Sequence, residues 1–168
     1  MSTPDRQTVI ATMRSMKVCV IVPTYNNGGT IGRVLDDILG YADDVIVVND
    51  GSTDGTADIL RSFGDRITVV SYERNRGKGH ALKTGFAKAR TMGYDYAITI
   101  DSDGQHYASD IPLFVRAIAE HPGALIVGQR DLSNVDINGK SSLANKFSNF
   151  WFYVQTGRRL PDTQTGYR

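Results

Sequence analysis

Tyr96-Ala97-Ile98-Thr99-Ile100-Asp101-Ser102-Asp103-Gly104-Gln105-His106 is the stretch from which the fold is read. Its apolar run, residues 97–100, reads as a strand buried on both faces, and it stops abruptly at Asp101, Ser102, Asp103 and Gly104. In an extended chain residues two apart point to the same side, so Asp101 and Asp103 present their carboxylates together. Two anions ~4 Å apart repel by about 1 kcal/mol in water and about 4 kcal/mol at an effective dielectric near 20. A divalent cation turns that cost into a binding site, and Mg²⁺ and Mn²⁺ favour carboxylate oxygens together with substrate phosphates. The same four residues are also ordinary turn chemistry, two solvated aspartates at a strand end.

Working outward from this strand, the chain alternates strand and helix with little slack. Residues 18–22 form a nearly continuous apolar run, a strand expected to stop at Pro23. Residues 30–39 place Ile31, Val34, Leu35, Ile38 and Leu39 in helical rhythm. Residues 44–48 read as a second strand ending at Asn49 and Asp50. Residues 54–63 read as a helix capped by Ser52, Thr53 or Asp54. A third strand is expected over 67–72, a helix over 79–92 and another over 109–120. A further buried strand is expected over 124–127, and a helix over 142–156 carries Phe147, Phe150, Trp151 and Val154 on one side. Solid apolar strands separated by helices of about ten residues indicate an α/β fold, a mostly parallel sheet flanked by helices on both faces with right-handed crossovers. Ligands of such sheets sit outside the carboxyl ends of the strands. Those ends, residues 23–27, 49–54, 73–79, 101–106 and 128–130, are all polar and share one rim.

A length of 168 residues suits one domain with a real core, and 40% hydrophobic and 22% charged residues are the composition of a soluble globular protein. A net charge of +1 without a long Lys/Arg run gives no case for nucleic-acid binding. The single cysteine, Cys19, lies inside an apolar run, reads as a small core residue and fits a reducing compartment. No apolar run approaches 18 residues, so no transmembrane segment is expected. The first residues carry Asp5 and lack a long apolar centre, which makes a poor signal peptide. Residues 1–16 are expected to be a mobile or loosely helical extension.

Several rim residues suit a nucleotide. Asp50 follows the second strand, where nucleotide-binding sheets often hold a ribose hydroxyl or a base edge, although Asp-Gly-Ser-Thr-Asp-Gly equally suits a cap or Asx turn. Arg74, Arg76 and Lys78, interleaved with Gly77 and Gly79, offer cations and backbone amides to phosphate, or form a solvated basic loop. Tyr25 suits stacking on a base or half-buried packing. His80 and His106 suit ligation or acid/base work, which most loop histidines do not perform. Gly28, Gly29 and Gly32 lack the G-x-G-x-x-G spacing, and neither G-x-x-x-x-G-K-[ST] nor G-x-S-x-G occurs. What remains is a nucleoside-diphosphate site whose phosphates are met by metal-bearing aspartates.

Six segments together carry a resemblance. They are Val-Pro-Thr-Tyr-Asn-Asn (22–27), Val-Asn-Asp-Gly-Ser-Thr-Asp-Gly-Thr (48–56) and Asn-Arg-Gly-Lys-Gly-His-Ala-Leu (75–82). They continue with Asp-Ser-Asp-Gly-Gln-His (101–106), Gly-Gln-Arg (128–130) and Asp-Thr-Gln-Thr-Gly-Tyr-Arg (162–168). In this order they resemble the inverting family 2 glycosyltransferases of GT-A fold, over residues 17–168. Asp-Gly-Gln-His and the Thr-Gly-Tyr-Arg ending are similar to the branch that transfers sugars to polyprenyl or dolichyl phosphate. The resemblance implies that Pro23, Tyr25 and Asn26 line a nucleotide pocket, Asp50 contacts the base and Lys78 lies near the nucleotide. It also implies that Asp101 and Asp103 are the DXD pair for Mg²⁺ or Mn²⁺, with Asp103 the direct ligand and Gln105 a further one. Arg130 and Arg168 become phosphate contacts. Asp162 becomes the general base for a sugar hydroxyl acceptor, or a positioning group for a lipid phosphate, which is already anionic. The implied partners are a UDP- or GDP-linked sugar and a lipid-phosphate acceptor, in a cytoplasmic protein or at the cytoplasmic face of a membrane.

In the resembled family the catalytic domain continues past Thr-Gly-Tyr-Arg, so residues 17–168 are expected to be an incomplete domain that binds donor and turns over poorly. Two rivals remain. A sugar-1-phosphate nucleotidyltransferase shares the α/β core and metal aspartates, but resembles a glycine-rich, Arg-bearing loop after the first strand where this chain has Pro-Thr-Tyr-Asn. It alone would release pyrophosphate from a nucleoside triphosphate. A degenerate domain used as a binding module would show no metal-linked nucleotide affinity.

Overall fold

Four apolar runs pair as one parallel sheet: β1 (Val18–Thr24), β2 (Val45–Asn49), β3 (Thr68–Ser71) and β4 (Tyr96–Thr99), in the order β3-β2-β1-β4. The computed structural model describes residues 5–128 and 167. The chain divides into two compact units, Met1–Ile126 with Tyr167 and Val127–Gly166 with Arg168, and the sheet lies in the first. Among the described residues five helices accompany it: α1 (Arg6–Ser15), α2 (Ile31–Leu39), α3 (Thr56–Ser62), α4 (Lys78–Thr91) and α5 (Ile111–Glu120), the last entered through a 3-10 turn at Ala108–Asp110.

The period of two in an extended chain sorts the core into two layers. Val18, Val20 and Val22 of β1 face one side, where they meet Val9 and Met13 of α1, Ile31, Leu35 and Ile38 of α2, Leu60 of α3 and Phe114 and Ile118 of α5. Cys19 and Ile21 face the other side with Ile46, Val48, and Ala81 and Ala89 of α4. Each fully buried Val, Leu or Ile contributes about 1.5–3 kcal/mol, which explains why α2 forms where its five apolar residues recur: all five are buried. Cys19 is free and fully buried, and burial pushes its thiol up to about 12. The α/β class with a parallel sheet is as the sequence indicates.

Four local expectations change. β1 does not stop at Pro23 but runs through it to Thr24. Val20 donates its N–H to Asp44 on the β2 side, so by alternation Pro23 turns its missing N–H toward β4, where pairing has already ended at Ile21 and Thr99. Residues 5–16 are not a loose appendage: Asp5 caps α1 through Gln7 N at 3.1 Å, and Val9 and Met13 are buried in the core. The third strand is half exposed rather than solid, since Val69 is 40% accessible at the sheet edge. Residues 124–127 form no strand, and Leu125 is 76% exposed. A strand needs a hydrogen-bonded neighbour, and none of the described residues pairs with this run. The helix expected over 142–156 lies outside the described residues.

α4 lies close on the sheet because its inward stripe is Ala81, Gly85 and Ala89. A Cβ at Gly85 would come within 2.5 Å of Ile21 Cγ2, a fully buried β-branched group with little room to yield. Gly85→Ala is expected to destabilise the fold by about 1–3 kcal/mol, on the order of 3–10 °C in thermal midpoint. A calorimetric midpoint equal to wild type would show that α4 can lift away without cost.

Candidate functional site

The chain leaves β1 toward β2 and β3 on one side, while β4 lies on the other. The carboxyl ends of β1 and β4 therefore border the place where a parallel sheet opens a crevice. A cleft of about 280 Å³ lies there. Pro23, Thr24, Tyr25 and Asn27 line it from β1, Asp50 from β2, Asn75, Lys78 and Ala81 from the α4 approach, and Asp101, Ser102 and Asp103 from β4.

The loops around the cleft are tied to one another. Asn26 takes a left-handed backbone (φ 52°) and accepts Thr53 N at 2.8 Å, while its own N–H donates to Ser52 Oγ at 3.0 Å. Asn27 donates its backbone N–H to Thr56 Oγ1 at 3.1 Å and its side-chain Nδ2 to Ser102 Oγ at 2.7 Å. Gly28 N donates to Asp54 Oδ2 at 2.9 Å, and Thr30 Oγ1 donates to Ser102 O at 2.8 Å. The ends of β1, β2 and β4 are thus fixed relative to each other by side chains that sequence patterning shows only as polar loops.

Asp50 is 3% exposed, yet neither carboxylate oxygen is idle: Oδ1 accepts Arg76 N and Oδ2 accepts Gly77 N, both at 2.8 Å. The cap reading of Asp50 is what the geometry displays, but the capped amides belong to the distant loop before α4. That loop passes so close to Gly51 (φ 71°) that a Cβ there would collide with the Arg74–Asn75 backbone. Clamping this loop sets Lys78 at the cleft, where its Nζ lies 2.7 Å from Asp101 Oδ2. His106, its side chain 6% exposed, places Nε2 3.8 Å from the same oxygen. Behind His106 stands Tyr167, its ring 5.3 Å away, stacked on Phe114 at 4.3 Å and donating its hydroxyl to Tyr107 O at 3.2 Å. Burial alone would push the Asp101 carboxyl up. Hydrogen bonds from His106 and Lys78, with their positive charge, outweigh that and hold it below the usual carboxylate value.

Of the expected site residues, Pro23, Tyr25, Asp50, Lys78, Asp101 and Asp103 meet at the cleft. Asn26 turns its amide to the β2 loop, and Asn27, Ser102 and Thr24 take places at the cleft that sequence did not single out. Thr24 Oγ1 is buried there without a hydrogen-bond partner. Gln105 is exposed, and its backbone N–H donates to Asp103 Oδ1 at 2.9 Å. Arg130, Asp162 and Arg168 lie outside the described residues.

The described residues contain no cluster of three His, Cys, Asp or Glu side chains able to cage a metal. The all-oxygen donor set of Asp101 and Asp103 nonetheless suits Mg²⁺ or Mn²⁺ held jointly with phosphate oxygens and water, because Mg²⁺ characteristically takes only one or two carboxylates. Asp103 is exposed at the cleft, whereas Asp101 shares its charge with Lys78. Asp103, with Asp101 beside it, would hold such an ion.

Comparison with known proteins adds a family. Residues 19–167 match the model of Glycosyl transferase family 2. The chain belongs to that family. This family 2 chain is 28% identical to a UDP-N-acetylglucosamine–dolichyl-phosphate N-acetylglucosaminyltransferase of Methanococcus voltae, over 93% of its own length and 70% of the relative's. It is 29% identical to an undecaprenyl-phosphate mannosyltransferase of Micrococcus luteus, over 91% of its length and 65% of that protein's. Both of these relatives are named for transfer of a sugar to a polyprenyl-type phosphate. Its fold matches glucosyl-3-phosphoglycerate synthase of Mycobacterium tuberculosis, solved with Mn²⁺, UDP and glucosyl-3-phosphoglycerate, with TM-score 0.65, 23% identity and coverage of 99% of this chain and 61% of that one. The sheet and its helices are those of the GT-A fold.

Two outcomes are expected from this geometry. Ionised Asp101 stabilises the fold above the ordinary Asp value, about 3.9, and that stabilisation is lost as pH falls through the depressed folded value. Lys78→Met removes a cation but not the burial, so the Asp101 titration followed by carboxyl ¹³C NMR moves upward. An unmoved titration would mean that Lys78 does not neutralise Asp101 in solution. Asp50→Ala leaves the Arg76 and Gly77 amides without their acceptor and is expected to cost about 1–3 kcal/mol in urea unfolding.

Proposed function

We propose that this chain is the donor-binding part of an inverting glycosyltransferase that moves a sugar from a nucleoside-diphosphate sugar to a polyprenyl phosphate. The observation that carries the reading is the meeting of Lys78, Asp101 and Asp103 in one cleft at the sheet's switch point, in a chain of family 2. Residues 17–168 are taken as the catalytic domain, beginning near the start of the family match.

In this reading Tyr25 and Pro23 hold the base, the unpartnered Thr24 hydroxyl serves a polar atom of the nucleoside, and Asp50 keeps the Arg76–Gly77 loop in place as well as bordering the base. The donor of the Methanococcus relative favours uridine over guanosine. A bound Mg²⁺ or Mn²⁺ at Asp103, with Asp101 and Gln105 nearby, would neutralise negative charge on the diphosphate. Lys78 supplies fixed positive charge where the leaving group gains negative charge, and such preorganised stabilisation is commonly the largest part of catalysis. Arg130 and Arg168 are assigned to phosphate contacts and Asp162 to positioning the acceptor. A lipid phosphate attacks the anomeric carbon from the face opposite the nucleotide and needs no general base, because it is already anionic. No helix among the described residues is long and apolar enough to cross a membrane, and the acceptor is assigned to the cytoplasmic face of a bilayer.

A thermal-shift panel of UDP and GDP, each with and without Mn²⁺, tests this. A ligand present at about 100 times its dissociation constant stabilises the fold by about 2.7 kcal/mol. UDP with Mn²⁺ is expected to give the largest shift, and Asp103→Ala to remove the Mn²⁺-dependent part while leaving the protein folded. A full shift retained in that variant would place the cation elsewhere, and no shift with any nucleotide would overturn the reading.

A further inference from the structure

α4 carries charge in a way the rest of the chain does not. Lys78, Lys83, Lys88 and Arg90 lie in Lys78–Thr91 with no Asp or Glu among them. The whole chain carries +1 and α4 alone +4, so the remainder carries −3. Lys78 is turned to Asp101, but Lys83, Lys88 and Arg90 make no ion pair among the described residues. With Ala81, Gly85 and Ala89 pressed on the sheet, the outward stripe at helical spacing is Lys83, Phe86 and Arg90. Phe86 is 46% exposed between the two cations.

We propose that this stripe is a docking surface for an anionic lipid bilayer, with Lys83 and Arg90 on headgroup phosphates and Phe86 set into the boundary below them. Cations on an exposed helix face are attracted to the anionic surface of a bilayer, and an exposed aromatic ring between them adds apolar area to bury there. Long cationic side chains keep their heads at the phosphates while their stems lie along apolar surface. Nucleic acid is disfavoured because the chain's net charge is +1 and its pI 7.9, with no overall basic character. The choice of a bilayer over an acidic protein rests on the proposed acceptor, a phosphate anchored in lipid. α4 begins at the cleft with Lys78, so docking by its outer face brings that cleft beside the headgroups.

The test is co-sedimentation of the chain with vesicles of phosphatidylcholine alone and of phosphatidylcholine mixed with phosphatidylglycerol. Binding to the mixed vesicles only, weakening with added salt, is expected. At about 1 kcal/mol for each cation at the surface, or roughly fivefold, Lys83→Gln with Arg90→Gln should lower partitioning about 25-fold. Phe86→Ser should lower it further at every salt concentration. Equal binding to both vesicle types, no binding to either, or a double variant that partitions like wild type overturns the proposal. So does duplex DNA competing as well as the anionic vesicles. The UDP thermal shift is read on the same samples. A shift retained by a double variant that has lost the vesicles supports the surface, and its absence in a wild type that binds vesicles refutes the transferase reading and leaves the surface standing.

Discussion

A buried carboxylate must find partners, and Asp50 finds them in two backbone amides on a segment more than twenty residues away in the chain. Burying an ionised group without such bonds costs several kcal/mol, so this constraint determines where the Arg74–Gly77 loop can lie. It is reinforced from the other side by Gly51, where any side chain would strike that loop. Once Gly77 is held, α4 starts at a fixed point, and Lys78 stands opposite β4. The Lys78–Asp101 pair, the His106 support and the Tyr167–Phe114 stack follow in sequence. Residues from β2, the α4 approach, β4 and the Thr-Gly-Tyr-Arg segment are thereby linked in a single polar path around the cleft.

The two layers of the sheet divide the remaining work. Among the described residues, four helices cover one face with a thick apolar core, and α4 is the one that covers the other. A lone helix can do this only by lying close, and its stripe of Ala81, Gly85 and Ala89 permits that. Small inward residues also free the outward positions for long cationic side chains. Close packing, placement of Lys78 and a positive outer surface thus come from one fourteen-residue helix.

The parallel sheet was legible because its strands are solid apolar runs and its helices repeat apolar residues at the right interval, as in α2. The rim was legible by topology, since the strand ends carry polar residues that must gather at one edge. Other features depended on partners that a linear pattern does not name. Pro23 reads as a stop because its missing N–H is apparent in sequence, whereas the side to which that N–H would point is not. Residues 6–15 show weak amphipathicity, and only the apolar ground offered by α5 and β1 makes Val9 and Met13 core residues. Residues 124–127 are apolar without a neighbour to pair with. Asp50 was balanced between base contact and cap, because nothing local reveals that its amides lie beyond β3. Asn27 and Ser102, seventy-five positions apart, look like unrelated loop residues until the sheet places β1 beside β4.

Lys78 cannot serve two anions at full strength. In the cleft its charge is given to Asp101, whose side chain is 18% exposed, while that of Lys78 is 53% exposed. Any phosphate entering the cleft competes with Asp101 for that ammonium. A carboxylate as sheltered as Asp101 would lose part of what keeps it ionised, and the other group beside it among the described residues is the His106 ring at 3.8 Å. His106 packs against the Tyr167 ring, which stacks in turn on Phe114, so an aromatic pair backs the side chain next to Asp101. Tyr167 of the Thr-Gly-Tyr-Arg segment thus packs on the neighbour of Asp101 without lining the cleft itself.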